Sequence, residues 1–169
     1  MRLLGAILIM ASAALGCAAL LREKKKSQED CRSLADALEL LRGELSFGGI
    51  PLNQGIERAR AHAHGAGKEF LAAVYESFDS LGEHSFGEIW DKALTNLGPR
   101  LPDDPISELR KLGSVLGRFD LELQLRSLDV CVLQLREQWQ RQSNAYPSQR
   151  RVAFGLSISL SVLLVILLY

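Results

Sequence analysis

The chain is predicted to be all-α, a bundle of about six helices lying between an N-terminal and a C-terminal transmembrane helix. Three observations predict this. Residues 3–21 are nineteen positions without a charge and residues 152–169 are eighteen more, each close to the ~20 apolar residues a helix needs to cross a bilayer. Between them, apolar residues recur at steps of three and four, the period of a helix with one buried face. Gly and Pro gather where one such stripe stops and the next starts, at Gly48-Gly49-Ile50-Pro51 and at Gly98-Pro99.

Lipid offers backbone amides no water, so helices that satisfy them internally are the structure both runs can adopt there. Lys and Arg near span ends are retained in the cytoplasm. Arg22, Lys24, Lys25, Lys26 and Arg32 follow the first run, Arg136, Arg141, Arg150 and Arg151 precede the second, and Arg2 alone lies beyond an outer end. The predicted organisation is a span at 3–21, a cytoplasmic domain at 22–151 and a span at 152–169. Ala14-Leu15-Gly16-Cys17 resembles a lipoprotein cleavage box. Yet the apolar run continues past Cys17 into a basic cluster, which is a stop-transfer pattern.

Leu34, Leu38, Leu41 and Leu45 put one stripe on a first helix that ends near Phe47. Pro51 suits the start of a second, with Leu52, Ile56, Ala59 and Ala63 as its apolar face. His64-Gly65-Ala66-Gly67 is read as a break, followed by a third helix carrying Phe70, Leu71, Val74, Phe78 and Leu81. Ser85 with Glu88 three residues later forms a capping box for a fourth, with Phe86, Ile89, Trp90, Ala93 and Leu97. Asp104-Pro105 begins a fifth, with Ile106, Leu109, Leu112 and Leu116. Leu121, Leu125, Leu128, Val132, Leu135 and Trp139 step as coiled-coil a and d positions along a sixth, 120–144.

The first and sixth helices match in length, about 39 Å and 37 Å from the helical rise. They are expected to form an antiparallel stalk capped by the four shorter helices. The stripe on the sixth can be satisfied by the first helix or by a second copy of the chain, since both bury the same leucines.

Nineteen basic and twenty acidic residues remain once Arg2 is set aside. Nucleic acid demands a concentrated basic face, so no nucleic-acid role is expected; Lys24–Lys26 suit anionic lipid headgroups instead. Cys17, Cys31 and Cys131 are odd in number and widely spaced, which indicates neither a disulfide framework nor a zinc knuckle. Gly113-Ser114-Val115-Leu116-Gly117 lacks the lysine of a phosphate loop. His62 and His64 point to different faces of a helix. Glu29, Asp30, Asp103, Asp104 and the scattered acids of the later helices have no nearby histidine or nucleophile suggesting acid–base work and are read as solvated faces and caps. No catalytic, metal or cofactor site is expected. The candidate partner-binding residues are Glu57, Arg58, Arg60, Arg110, Lys111 and Arg118, charged and expected to be exposed; a solvated helix face explains them equally well. Trp90 and Trp139 lie on apolar stripes and are expected in the core.

Three segments, in order, carry a resemblance. Glu44-Leu45-Ser46-Phe47-Gly48-Gly49-Ile50-Pro51-Leu52 is similar to a pattern of glutamate, apolar residue, any residue, Tyr-Gly and then Thr-Pro-Leu. Glu88-Ile89-Trp90-Asp91-Lys92-Ala93-Leu94 looks like an Ala-Trp-x-x-Ala-Leu segment, and Leu116-Gly117-Arg118-Phe119-Asp120 with Gln124 like Leu-Gly-x-Ser-Asp. Over essentially its whole length the chain resembles the stage III sporulation protein AB family of endospore-forming bacteria. It departs at Phe47, at Ile50 in place of a capping threonine worth ~0.5–2 kcal/mol, at Gly55, which costs ~1 kcal/mol in a helix, and at Phe119.

The resemblance implies a non-enzymatic protein of the mother-cell membrane around the forespore, part of the channel joining the two compartments. It implies a cytoplasmic domain similar to the platform protein of type II secretion and type IV pilus machines, docking a secretion-type ATPase. The alternative is a membrane-anchored regulatory or tethering protein with no motor partner.

Overall fold

A computed structural model describes residues 2–101, 103–118 and 120–141. They form six α-helices, α1 (Arg2–Gly48), α2 (Leu52–His62), α3 (Gly65–Glu76), α4 (Phe86–Leu97), α5 (Asp103–Val115) and α6 (121–141), with 3₁₀ turns at Phe78–Ser80 and Gly98–Arg100. Ser27–Gln140 is one compact unit; of the second unit, residues 2–26 and 141 are described, and all are helical. No helix among the described residues is long and apolar enough to cross a membrane. The expected spans lie outside that statement: 152–169 is not described, nor are the side chains of 3–15 and 17–21.

Within Ser27–Gln140 the helices run up and down in chain order. Arg42 pairs with Asp129, Glu39 with Arg136, and the Arg32 guanidinium lies 5.5 Å from the centroid of the Trp139 ring, so α1 and α6 are antiparallel. Residues 27 and 140 therefore leave the bundle at the same end. Arg58 faces Glu44 at 3.7 Å and His64 faces Asp36 at 3.8 Å, so α2 descends along α1. Phe70 meets Trp90 and Phe78 meets Phe86, which reverses α4 against α3. Gly87 lies against Gly113 and Ser114, and four residues on Asp91 pairs with Arg110, which reverses α5 against α4. The shorter helices thus lie alongside the α1–α6 pair, where the sequence reading put them on top of it. A helix of eleven to thirteen residues buries its stripe best against the flank of a longer one.

The core collects the predicted stripes. Leu34, Leu38, Leu41 and Leu45 of α1, Ile56 and Ala59 of α2, Phe70, Leu71 and Val74 of α3, Trp90 and Leu94 of α4, Leu109 and Leu112 of α5, and Leu128, Val132 and Leu135 of α6 are all buried. The α6 stripe is thereby satisfied inside the bundle. Leu121, expected on it, is 42% exposed at the helix start, and Cys131, which was not, is buried. Trp139 is half-buried.

Three boundaries differ from expectation for physical reasons. The turn Gly65-Ala66-Gly67 begins α3 and does not break the chain, because Ser33 of α1 caps it from outside: its hydroxyl accepts from the Gly67 N–H at 3.0 Å and donates to the His64 carbonyl. No side chain of its own caps α3. At the other end α3 stops at Glu76, where the hydroxyls of Ser77 and Ser80 donate to the carbonyls of Ala73 and Ser77. Phe78 then sits in a 3₁₀ turn and Leu81 is exposed. The fifth helix starts at Asp103, so Asp104 falls inside its first turn and is not its cap.

Glycines set two of the helix crossings. A Cβ on Gly67 would lie 2.3 Å from the Ser33 carbonyl oxygen and 2.6 Å from the Ala37 Cβ, so α3 approaches α1 backbone to backbone. A Cβ on Gly113 would lie 2.3 Å from Cδ1 of Trp90, so this glycine is the seat of the indole.

Candidate functional site

Trp90 is the centre of the α3–α4–α5 side. Its indole N–H donates to the buried Leu109 carbonyl at 2.7 Å, Phe70 meets it edge-on at 4.6 Å, and Phe86 lies 5.7 Å away. Every polar atom of the ring is thus engaged internally, and the aromatic group is packing for α4. The predicted capping box is complete: Glu88 N–H donates to Ser85 Oγ at 3.3 Å, and Ser85 N–H donates to Glu88 at 2.7 Å. The Ser85 backbone N–H first, and the Ser85 side chain second, hold the Glu88 carboxyl below its ordinary range, with His84 and Arg118 adding smaller contributions.

The six charged candidates fall into two sets. On α2, Arg58 reaches Glu44 and Arg60 lies 4.0 Å from the centroid of the Tyr75 ring, while Glu57 is exposed. On α5 and just after it, Arg110 pairs with Asp91, Lys111 with Glu108 at 2.6 Å, and Arg118 is exposed. Among the described residues no ion pair or hydrogen bond joins the sets. Three of the six are therefore tied to neighbours in surface ion pairs, each worth ~0–1 kcal/mol and each able to exchange partners, and Arg60 is held over the Tyr75 ring.

The reactive groups are withdrawn. Cys31 and Cys131 are buried, and burial pushes their thiols up to about 11 and about 12 respectively, with the charges of Asp30 and Glu108 adding to it. A thiol held protonated is a poor nucleophile and a poor metal ligand. Among the described residues no group of three or more His, Cys, Asp and Glu could hold a metal ion. His64 meets Asp36, and His62 joins it only as part of a groove wall.

That groove is what the charge-based reading missed. It has a volume of about 670 Å³ and runs along α1 between Asp36 and Phe47, with Arg58, His62 and His64 on its α2 side. Its floor is Leu40 and Gly43. Phe47, at its end, is 94% exposed, the most exposed large apolar side chain among the described residues. A signal was present in the sequence, since positions 36, 40, 43 and 47 form a second stripe beside the leucine stripe of α1, and it carries two apolar groups and a glycine.

An antiparallel six-helix bundle with a grooved flank is the class of protein this geometry defines. The chain belongs to the stage III sporulation protein AB family, whose model, described as "Stage III sporulation protein AB (spore_III_AB)", matches residues 2–169. That membership gives it a role in sporulation. A solved structure of "Stage III sporulation protein AB (SpoIIIAB)" is similar at a TM-score of 0.62 and 19% identity, covering 72% of this chain and 97% of that one. Identity that low carries the fold alone. No curated protein sequence matches the chain.

Proposed function

We propose that this chain is a non-enzymatic component of the mother-cell membrane around the forespore, anchored by residues 3–21 and 152–169 with its central bundle in the cytoplasm. There it docks a secretion-type ATPase onto the channel that joins the two compartments. One observation carries the reading: residues 27 and 140 leave the bundle at the same end, where the Arg32–Trp139 contact holds α1 to α6. Two apolar runs reached from one end of a domain suit two spans of a single membrane. The other end and the flanks are then left for partners. The withdrawn thiols, the paired surface charges and the internally engaged Trp90 support a binding role over a chemical one.

The test is isolation of the full-length chain from membranes of sporulating cells. Co-isolation of the sporulation ATPase is expected; its absence, together with normal spores from a deletion strain, removes the reading. Topology is checked separately with Ser46→Cys, because Ser46 is exposed while Cys31 and Cys131 are buried. Labelling by a membrane-impermeant maleimide is expected only after the membrane is opened. Labelling in intact cells would put the bundle on the wrong side.

A further inference from the structure

Gly43 has no internal reason to be glycine. A Cβ there would meet nothing within 4 Å, in contrast to Gly55, whose Cβ would lie 2.9 Å from Leu45, and to Gly67 and Gly113, which are sites of close crossing. It sits inside a regular helix, with no left-handed conformation to require it, and there glycine costs ~1 kcal/mol relative to alanine. What a missing side chain gives at a half-buried helix position with open space beside it is close approach of another backbone.

The surroundings say what kind of backbone. Asp36, Leu40, Gly43 and Phe47 follow one another at steps of four, three and four, so they form a straight seam of about 16 Å from the helical rise. That is roughly three turns of a helix laid beside α1. Leu40 is half-buried, and Phe47 projects almost wholly into solvent, so the seam offers one apolar floor and one aromatic post. The walls add Glu39 and Glu44 to Asp36, three carboxylates, of which Glu44 already faces Arg58 at 3.7 Å and Asp36 faces His64 at 3.8 Å. Arg136 and Arg32 reach Glu39 and Asp36, but all of these ion pairs are at the surface, where partners exchange at little cost.

We infer that the α1 groove from Asp36 to Phe47 is a docking site for an amphipathic helix of a partner protein, one that crosses at Gly43 with a small residue, packs apolar residues on Leu40 and Phe47, and carries Lys or Arg toward the three carboxylates. This rests on the reading above, in which the partner is the ATPase. The groove supplies helix-in-groove recognition: the apolar seam gives affinity and the flanking carboxylates select charge.

The test uses the full-length chain in sporulating cells with a photo-reactive phenylalanine analogue at position 47 or, for comparison, at Val130 on the outer side of α6. Crosslinking to the ATPase is expected from position 47. Gly43→Ala is expected to raise the melting temperature of the chain yet cut that crosslink by about tenfold, because one added methyl overfills a close crossing. Glu39→Lys with Glu44→Lys is expected to cut it further. An unchanged crosslink in Gly43→Ala overturns the groove. Crosslinking of the ATPase from Val130 and not from 47 also overturns the groove while leaving the ATPase reading standing. Adducts containing two copies of this chain at position 47 overturn the partner assignment. No ATPase adduct from either position, combined with no co-isolation, removes the ATPase reading as well.

Discussion

The same substitution, glycine to alanine, is predicted to act with opposite signs at three helical positions of this bundle. At Gly43 the new methyl meets open space, so only the helix preference counts, and stability should rise by ~0.5–1 kcal/mol. At Gly113 the methyl would sit 2.3 Å from Cδ1 and 2.5 Å from Cγ of Trp90, a ring that is fully buried and hemmed by Phe70 and Phe86. The ring must move, which costs ~1–3 kcal/mol for overpacking and a further ~1–3 kcal/mol if the buried bond from its N–H to Leu109 is lost. The helix preference returns at most ~1 kcal/mol, leaving a loss of roughly 0–2 kcal/mol if the bond is kept and roughly 1–5 kcal/mol if it is lost. At Gly67 the obstacle is the Ser33 backbone carbonyl at 2.3 Å, and no rotamer relieves it. The loss there should be at least as large as at Gly113. Thermal melts of the full-length chain in nanodiscs, followed by circular dichroism, read these differences as a rise of a few degrees for Gly43→Ala and larger falls for the other two, at ~2–8 °C per kcal/mol. Equal signs at all three positions would refute the packing described for α3, α4 and α5.

Other consequences are smaller. Ser33→Ala should cost ~1–2 kcal/mol by removing the hydroxyl that caps α3, and Ser33→Thr should recover part of it; a melt checks both. Ser85→Ala should cost ~1 kcal/mol and lessen the depression of the Glu88 carboxyl, whose largest cause, the backbone N–H at position 85, survives the substitution. Because that carboxyl is lowered in the fold, its contribution is complete above the ordinary value of 4.5 and disappears as pH falls through the lower folded value. Glu88→Gln should flatten that part of an acid titration of stability. Cys31 and Cys131 run the other way: their raised folded values make the contribution complete below 9.0, and it is lost as pH climbs through about 11 and about 12. A thiol reagent at neutral pH should reach both only at the rate of bundle opening.

Much of this fold could be read before any packing was seen, because its signals are local. The Ser85–Glu88 box lies within four residues, and the stripes of α1, α2, α4 and α5 each lie on one helix. The pairing of α1 with α6 followed from matched length and from the need to bury two leucine stripes. What failed to show was non-local. Gly65-Ala66-Gly67 has the composition of a break, and the hydroxyl that turns it into a helix start comes from Ser33, some thirty residues earlier. Phe78 and Leu81 continue the apolar period of α3, yet serine hydroxyls end the helix before them. The charged candidates were chosen for exposure, but Arg58, Arg110 and Lys111 turn out to be held by carboxylates, two of them on neighbouring helices. Gly43 and Phe47 stood in plain sight beside the leucine stripe. Only the packing separates a glycine that a neighbour needs from one that no neighbour in the bundle touches.

The central claim, that the bundle is a dock for a cytoplasmic ATPase, is tested most directly by binding between purified components. The full-length chain in nanodiscs should bind the sporulation ATPase saturably and one site at a time, with affinity falling as salt rises because charged walls flank the contact. Absence of saturable binding at low salt, with a chain that melts cooperatively and therefore is folded, would contradict it.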